Sequence, residues 1–149
     1  SSNSTLTTGQ STASNSGGTA DAAGPSAAFT VANSGPRVTI SAPSSGIAES
    51  GSASTDKVTY TVTYTSATAV TLTAANITLN RQGSANGTIS VTGTGTAART
   101  VTISNLVGDG TLGISIAAGT ASNAVGAAPA AGPSATFIVY NPAPPPPPL

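Results

Sequence analysis

Side chains that commonly carry out chemistry are scarce in this chain. It has four acidic and four basic residues among 149, and it has neither histidine nor cysteine. Nucleophilic systems that pair serine or cysteine with histidine are therefore excluded, as is a zinc site built from cysteine and histidine. The four acids, scattered along the sequence, are Asp21, Glu49, Asp56 and Asp109. We predict no catalytic residue and no cofactor, and hence a protein that is not an enzyme.

Three arrangements of the charged residues could in principle serve catalysis, calcium binding or a covalent cross-link, and each is compared with a structural role. Glu49 and Asp56 flank one loop, and a solvated loop accounts for them better than a catalytic pair does. Asp109 lies between two glycines, as in a tight turn, whereas Ca²⁺ takes about six to eight oxygens, usually from several carboxylates. An amide bond between Lys57 and Asn141, with Glu49 as its acid, requires all three groups to be buried together. We predict no metal site.

The low charge also limits the classes of partner. Charged residues make up 5% of the chain, against about 25% in typical soluble domains, and the net charge is zero. No basic patch is available to neutralise phosphates, so we expect no binding to nucleic acid. A neutral surface rich in threonine repels other copies of itself weakly, which favours self-association.

Alternation of apolar and polar residues predicts β-strands along most of the chain. In the clearest case, residues 57–65, four apolar side chains alternate with threonines, so one face is core and the other is solvated. Further strands are predicted at residues 38–41, 70–72, 77–79, 88–92, 99–104, 112–117 and 135–141. No segment has an apolar helical period. The pattern predicts an all-β, antiparallel sandwich.

The connections contain small and turn-forming residues. We expect Ile47 to anchor a crossover rich in serine and glycine, and residues 74–76 to form a small kink. The stretch 82–87 is predicted to be a turn in which the pair Asn86-Gly87 favours positive φ. A second tight turn is predicted at residues 108–110.

Composition changes along the chain divide it into four parts. Residues 1–21 are small and polar and predict a flexible leader, because they cannot bury enough apolar area to offset chain entropy. Residues 22–36 hold an extra strand, residues 37–141 one sandwich domain, and residues 142–149 a polyproline tail that predicts an extended spacer. No apolar run reaches the ~18 residues of a membrane span. The composition favours an exported protein.

One segment of the sequence is duplicated. Residues 22–33 and 130–141 match at nine of twelve positions with an offset of 108 residues, and a Gly-Thr-Ala precedes each copy at 18–20 and 119–121. The chain therefore holds one domain preceded by an extra copy of its last strand. Two interpretations stay open: the remnant of an upstream repeat, or a spare strand that pairs with the sheet edge of a neighbouring subunit.

Several segments resemble the bacterial immunoglobulin-like repeats of large surface and adhesin-type proteins. The resemblance covers residues 37–141, and 18–36 for the last strand only. It rests on residues 38–43, 58–64, 99–105 and 108–116, and on the Ala-Gly-Pro-Ser-Ala-Thr-Phe ending at 131–137. It implies an immunoglobulin-like fold, a scaffold role and a location outside the cell or on its surface. The acidic clusters that bind calcium at the junctions of such repeats are nearly absent from this sequence.

The sequence predicts a structural subunit of an extracellular filament. Its partner would be a second copy of itself, joined head to tail by a donated strand whose contacts do not close into a ring. The predicted donor residues are Ala28, Phe29, Thr30, Val31, Ala32 and Asn33. The alternative is a stalk or ligand-binding repeat of a large surface adhesin, which would bind surface glycans or a host surface.

Overall fold

The computed structural model describes residues 2–4, 14–15, 17–19, 21–31, 34–144 and 147–148. It divides into two compact units, Ser1–Ser34 and Gly35–Leu149. The described part of the chain is all-β: its helical content is a single 3₁₀ turn at Ala74–Asn76, where a kink was predicted. The predicted fold class is confirmed to the level of an all-β, sandwich-like architecture.

The described residues of the first unit form four short strands, β1 (Ser2–Ser4), β2 (Ser14–Asn15), β3 (Gly18–Thr19) and β4 (Phe29–Val31). β1 pairs with β4, and β2 pairs with β3, both antiparallel. Residues 21–28, which connect β3 to β4, have no regular secondary structure. The described residues of the predicted leader and of the extra strand thus pair with each other.

The second unit contains ten strands. They are β5 (Arg37–Ile40), β6 (Ile47–Glu49), β7 (Val58–Thr65), β8 (Ala69–Val70), β9 (Ile77–Gly83), β10 (Asn86–Thr92), β11 (Ala98–Val107), β12 (Gly110–Ile116), β13 (Ala121–Ser122) and β14 (Phe137–Tyr140). Eight of them form two four-stranded sheets, ordered β10-β11-β7-β5 and β6-β14-β12-β9. Every neighbouring pair is antiparallel except β6 and β14, which run parallel. β8 and β13 form a separate pair.

The core lies between the inner faces of the two sheets. β7 buries Val58, Tyr60, Val62 and Tyr64, as its alternation predicts, and its threonines face outward. The opposing sheet contributes the buried apolar residues of β12 and β14, which are Leu112, Ile114, Ile116, Phe137 and Val139. The Tyr60 and Phe137 rings pack across the sheets at 6.4 Å between centroids. The strict two-residue period therefore places one face of each central strand in the core.

Two local expectations are wrong. Ile47 is 55% exposed, whereas its neighbour Ala48 is 3% exposed and packs into the core, so the crossover is anchored by the smaller residue. The pair Asn86-Gly87 lies inside β10, and the positive φ of that connection is at Gly83 (71°). A Cβ on Gly83 would lie 2.5 Å from the Asp109 carbonyl oxygen, so the close approach of the neighbouring turn selects glycine there.

Beyond β14 the described part of the tail carries no regular secondary structure. Residues 141–144 and 147–148 are exposed, and Pro145, Pro146 and Leu149 lie outside the described residues. None of the described helical segments is long and apolar enough to cross a membrane.

Candidate functional site

The loop from Glu49 to Asp56 is closed by hydrogen bonds, one of which involves the Asp56 carboxylate. The Asp56 Oδ2 atom accepts a hydrogen bond from the Glu49 backbone N–H at 2.7 Å, and the Ser54 hydroxyl donates to the Glu49 carbonyl at 2.7 Å. The two acids therefore do meet, but one carboxylate binds the other residue's backbone. This arrangement closes the loop between β6 and β7, and it gives the Asp56 carboxylate a structural role.

The condition for a Lys57–Asn141 cross-link is not met. Both residues are exposed, while Glu49 is half-buried, so the three groups are not enclosed together as the reaction requires. Lys57 instead borders a shallow surface cleft that is also lined by Asp56 and Asn105.

Asp109 closes the turn before β12 and fixes the end of the last strand. Its Oδ1 atom accepts the Asn141 backbone N–H at 2.7 Å, and its own backbone N–H donates to the Ser84 hydroxyl at 3.0 Å. Positive φ at Gly108 and Gly110 makes this a tight turn, as predicted. Among the described residues, no three His, Cys, Asp or Glu side chains lie together where they could hold a metal ion.

Two buried tyrosines fasten the C-terminal part of the domain to the core. The Tyr60 hydroxyl donates to the Ala135 carbonyl at 2.7 Å, and the Tyr64 hydroxyl donates to the Thr120 Oγ1 atom at 3.0 Å. Burial raises the pKa of Tyr64 above its ordinary value, although its hydrogen bond to Thr120 and the charge of Arg99 act in the lowering direction. Burial likewise raises the pKa of Tyr60, against a lowering hydrogen bond to Ser134. Both phenols serve as buried donors.

The last strand lies in a groove between β6 and β12. Ile138 is the partner of Ile47 on the parallel side and of Thr111 on the antiparallel side. Phe137 and Val139 are about 1% exposed, while Ile138 is 51% exposed on the outer face. One face of β14 therefore contributes to the core and the other is largely solvated.

The chain just before β14 is also hydrogen-bonded to β12. Ile114 and Ser134 are joined by two hydrogen bonds: the Ile114 N–H donates to the Ser134 hydroxyl at 2.9 Å, and the Ser134 N–H donates to the Ile114 carbonyl at 2.8 Å. Ile116 and Ala131 exchange a further pair of backbone hydrogen bonds. At Gly132 the φ angle is 110° and a Cβ would lie 2.9 Å from the Ser115 Cα, so glycine is required.

The duplication is longer than the repeat of residues 22–33 suggests. At the same offset of 108 and without a gap, Thr12-Ala13-Ser14-Asn15 repeats Thr120-Ala121-Ser122-Asn123. Gly18 and Ala20 then match Gly126 and Ala128. The Gly-Thr-Ala pairing of 18–20 with 119–121 is therefore the wrong register. We call residues 120–141 the C-terminal segment and residues 12–33 the N-terminal copy.

The local structure repeats at this offset as well. Ser14 pairs with Thr19 in the first unit, and Ser122 pairs with Ala127 in the second. The φ angles of the matching glycines are 107° at Gly24 and 110° at Gly132.

Every position that the duplication alters is exposed, and every buried position is retained. The five buried residues of the C-terminal segment are Thr120, Ala121, Ala128, Phe137 and Val139, and each is identical in the N-terminal copy. The half-buried residues Asn123, Ala131 and Ser134 are identical too. All positions that differ are exposed in the C-terminal segment: Ala124, Val125, Ala127, Pro129, Thr136, Ile138 and Tyr140. The copy thus retains every side chain that the domain encloses.

The first and last strands of the domain begin and end at opposite poles. Arg37 pairs with Thr65, at the same end of the first sheet as the Ala98–Thr63 pair. At the other end, the Tyr140 carbonyl accepts the Ser50 N–H, and the Gly51 N–H donates to the Leu106 carbonyl. Leu106 follows Ala98 by eight positions along β11, which is about 26 Å of strand. The chain therefore enters the domain at one pole and leaves it at the other.

The predicted donor residues lie in the first unit. Ala28 is exposed, and the backbone of Phe29, Thr30 and Val31 forms β4, paired with β1. Ala32 and Asn33 lie outside the described residues. The sequence prediction includes this strand but not residues 12–21 of the copy. Comparing the chain with itself at a fixed offset of 108 residues reveals them.

Comparison of the chain with family models, curated proteins and solved structures returned no match.

Proposed function

We propose that this protein is a structural module of an extracellular bacterial fibre or stalk in which immunoglobulin-like domains are joined end to end. The strand order supports the immunoglobulin-like assignment. Such a domain pairs strands A, B, E and D in one sheet and C, F and G in the other. The orders β5-β7-β11-β10 and β9-β12-β14 follow this scheme, with β6 continuing the first strand into the second sheet.

The opposite positions of the domain's two ends carry the proposal. A module whose chain enters at one pole and leaves at the other adds its length to the next module. The three residues Ser34, Gly35 and Pro36 separate the N-terminal copy from β5. A connection this short keeps successive domains close together and favours a linear array over a folded-back one.

The duplication supplies the joining element, and two forms of joining are possible. In a covalent array with a period of 108 residues, the N-terminal copy is the end of a preceding domain. In a filament of separate subunits, the copy is donated to a neighbour. The covalent form is favoured by the extent of the copy, because residues 12–21 repeat a loop that a donated strand alone does not need.

The surface chemistry agrees with a scaffold. The threonines of β7 at positions 61, 63 and 65 form an exposed, uncharged row on the outer face of the first sheet. With a net charge of zero, such a surface gives little electrostatic repulsion between copies. Ligand binding, as in the adhesin alternative, has weaker support, since the described connecting loops consist mainly of serine, glycine, alanine and asparagine.

Location and assembly can be tested together on intact bacteria that produce the protein. Antibodies raised against the domain should label fibres or a surface layer in immunogold electron microscopy, and brief protease treatment of intact cells should remove the signal. A cytoplasmic control protein should be untouched by the same protease. Label confined to the cell interior would refute the proposed function.

A further inference from the structure

Resting on this proposed function, we propose that the domain of one copy can bind residues 12–33 of a second copy in place of its own residues 120–141. We call the binding region the acceptor surface: strands β6, β8 and β12 together with Tyr60 and Tyr64.

The acceptor surface contacts few side chains of residues 120–141, and the N-terminal copy has the same residue at each of those positions. Tyr64 needs a hydroxyl at the position of Thr120, which Thr12 supplies. Ile114 needs the hydroxyl of Ser134, for which Ser26 is the equivalent. Tyr60, β6 and β12 form hydrogen bonds to main-chain atoms of the segment, so these contacts do not depend on side-chain type.

The copy cannot reach the acceptor surface of its own domain while β5 stays paired. In that position Asn33 would take the place of Asn141, at the pole beside Leu106, whereas Arg37 is held at the opposite pole beside Thr65. Four residues span at most about 14 Å, and the poles are about 26 Å apart along β11. Occupancy by the copy therefore requires a second chain.

The domain's own segment competes with the copy and has the advantage. It is part of the same chain, and its outer face pairs Ile138 with Ile47, where the copy offers Thr30. Exchange should therefore be rare while residues 120–141 are intact and prominent when they are weakened. A dependence of exchange on the stability of residues 120–141 distinguishes specific exchange from nonspecific association.

Disulfide trapping in the full chain tests the proposal, because the natural sequence contains no cysteine. Thr111 is the Cα partner of Ile138, so Thr30 of a bound copy would take the same place. Directly opposed residues in an antiparallel pair are about 4.5–5.5 Å apart at Cα, within disulfide range. The test chain carries Thr30→Cys and Thr111→Cys, with and without Phe137→Asp and Val139→Asp to weaken its own strand. The matched control replaces Thr111→Cys with Thr39→Cys, an exposed position on the other sheet.

We expect cross-linked dimers and larger species from the Thr30–Thr111 pair in the weakened chain, at least tenfold above the Thr39 control and above the intact background. Equal cross-linking of both pairs, or none, would overturn the proposal. If the weakened chain does not fold, a labelled peptide of residues 12–33 that carries Thr30→Cys, added to the Thr111→Cys chain during refolding, gives the same readout. The control is the same Thr30→Cys peptide with Phe29→Asp as well. Specific cross-linking into closed dimers alone would support the acceptor surface while refuting a filament of donated strands.

Discussion

Exchanging the outer face of the last strand for that of the copy should barely change stability, whereas altering its inner face should remove a large part of the free energy of unfolding. The triple change Thr136→Ala, Ile138→Thr and Tyr140→Ala converts β14 to the sequence of the N-terminal copy, and all three positions are exposed. Cross-strand pairs on an exposed face contribute about 0.2–1 kcal/mol each, so we expect a loss below about 2 kcal/mol.

The matched single change Phe137→Ala removes a ring that is 1% exposed and packs against Tyr60. Large-to-small changes of a buried phenylalanine cost about 3–5 kcal/mol, a large part of the ~5–15 kcal/mol of a typical domain. Equilibrium urea unfolding followed by circular dichroism gives both values, and an unchanged m-value confirms that the midpoint shift reports stability. A triple variant that loses as much as Phe137→Ala would refute the conclusion that the copy retains all that the fold requires.

Three further predictions follow from individual contacts. Gly132→Ala should lower the free energy of unfolding by more than about 1 kcal/mol, because φ is 110° and the Cβ would contact Ser115; Gly46→Ala, where a Cβ meets no atom within 4 Å, should change urea unfolding by less than about 0.5 kcal/mol. Burial raises the pKa of Tyr64, so as the pH rises this tyrosine loses its proton in the unfolded chain before it does in the folded one, and the free energy of unfolding should fall above about pH 10. Tyr64→Phe should make a plot of unfolding free energy against pH less steep in this range. An unchanged slope would contradict the burial argument. The intact mass should show no loss of ammonia, since Lys57 and Asn141 are exposed; a deficit of one ammonia would mean that these residues are cross-linked.

Much of the second unit could be predicted from its alternating strands. In β7 and β12 the apolar period of two residues specifies both the strand and its buried face, because a shift of one residue would expose the whole apolar set. The error at Ile47 shows where this reasoning fails. A three-residue edge strand is too short to establish a period, and neighbouring contacts placed Ala48 in the core.

The turn before β10 lies within the predicted stretch 82–87, but the position of its positive φ is predicted wrongly, for a similar reason. Asn-Gly is a strong local turn signal, but the position that needs positive φ is set by the neighbouring Gly108–Gly110 turn, which closes on Gly83 across the sheet. A single sequence does not display such contacts. The candidate site is predictable in part: the duplicated strand is visible in the sequence, but only burial shows that every enclosed position is retained in the copy.

Solution X-ray scattering of a doubled chain tests the end-to-end claim most directly. A second copy of residues 34–141 inserted after Asn141 preserves the 108-residue period of the natural duplication. β11 alone is ten residues, about 33 Å long. We expect the inserted domain to increase the maximum dimension by at least this length. Replacing Ser34-Gly35-Pro36 with a long Gly/Ser linker should broaden the distance distribution. A doubled chain with an unchanged maximum dimension, meaning two domains packed side by side, would contradict the account.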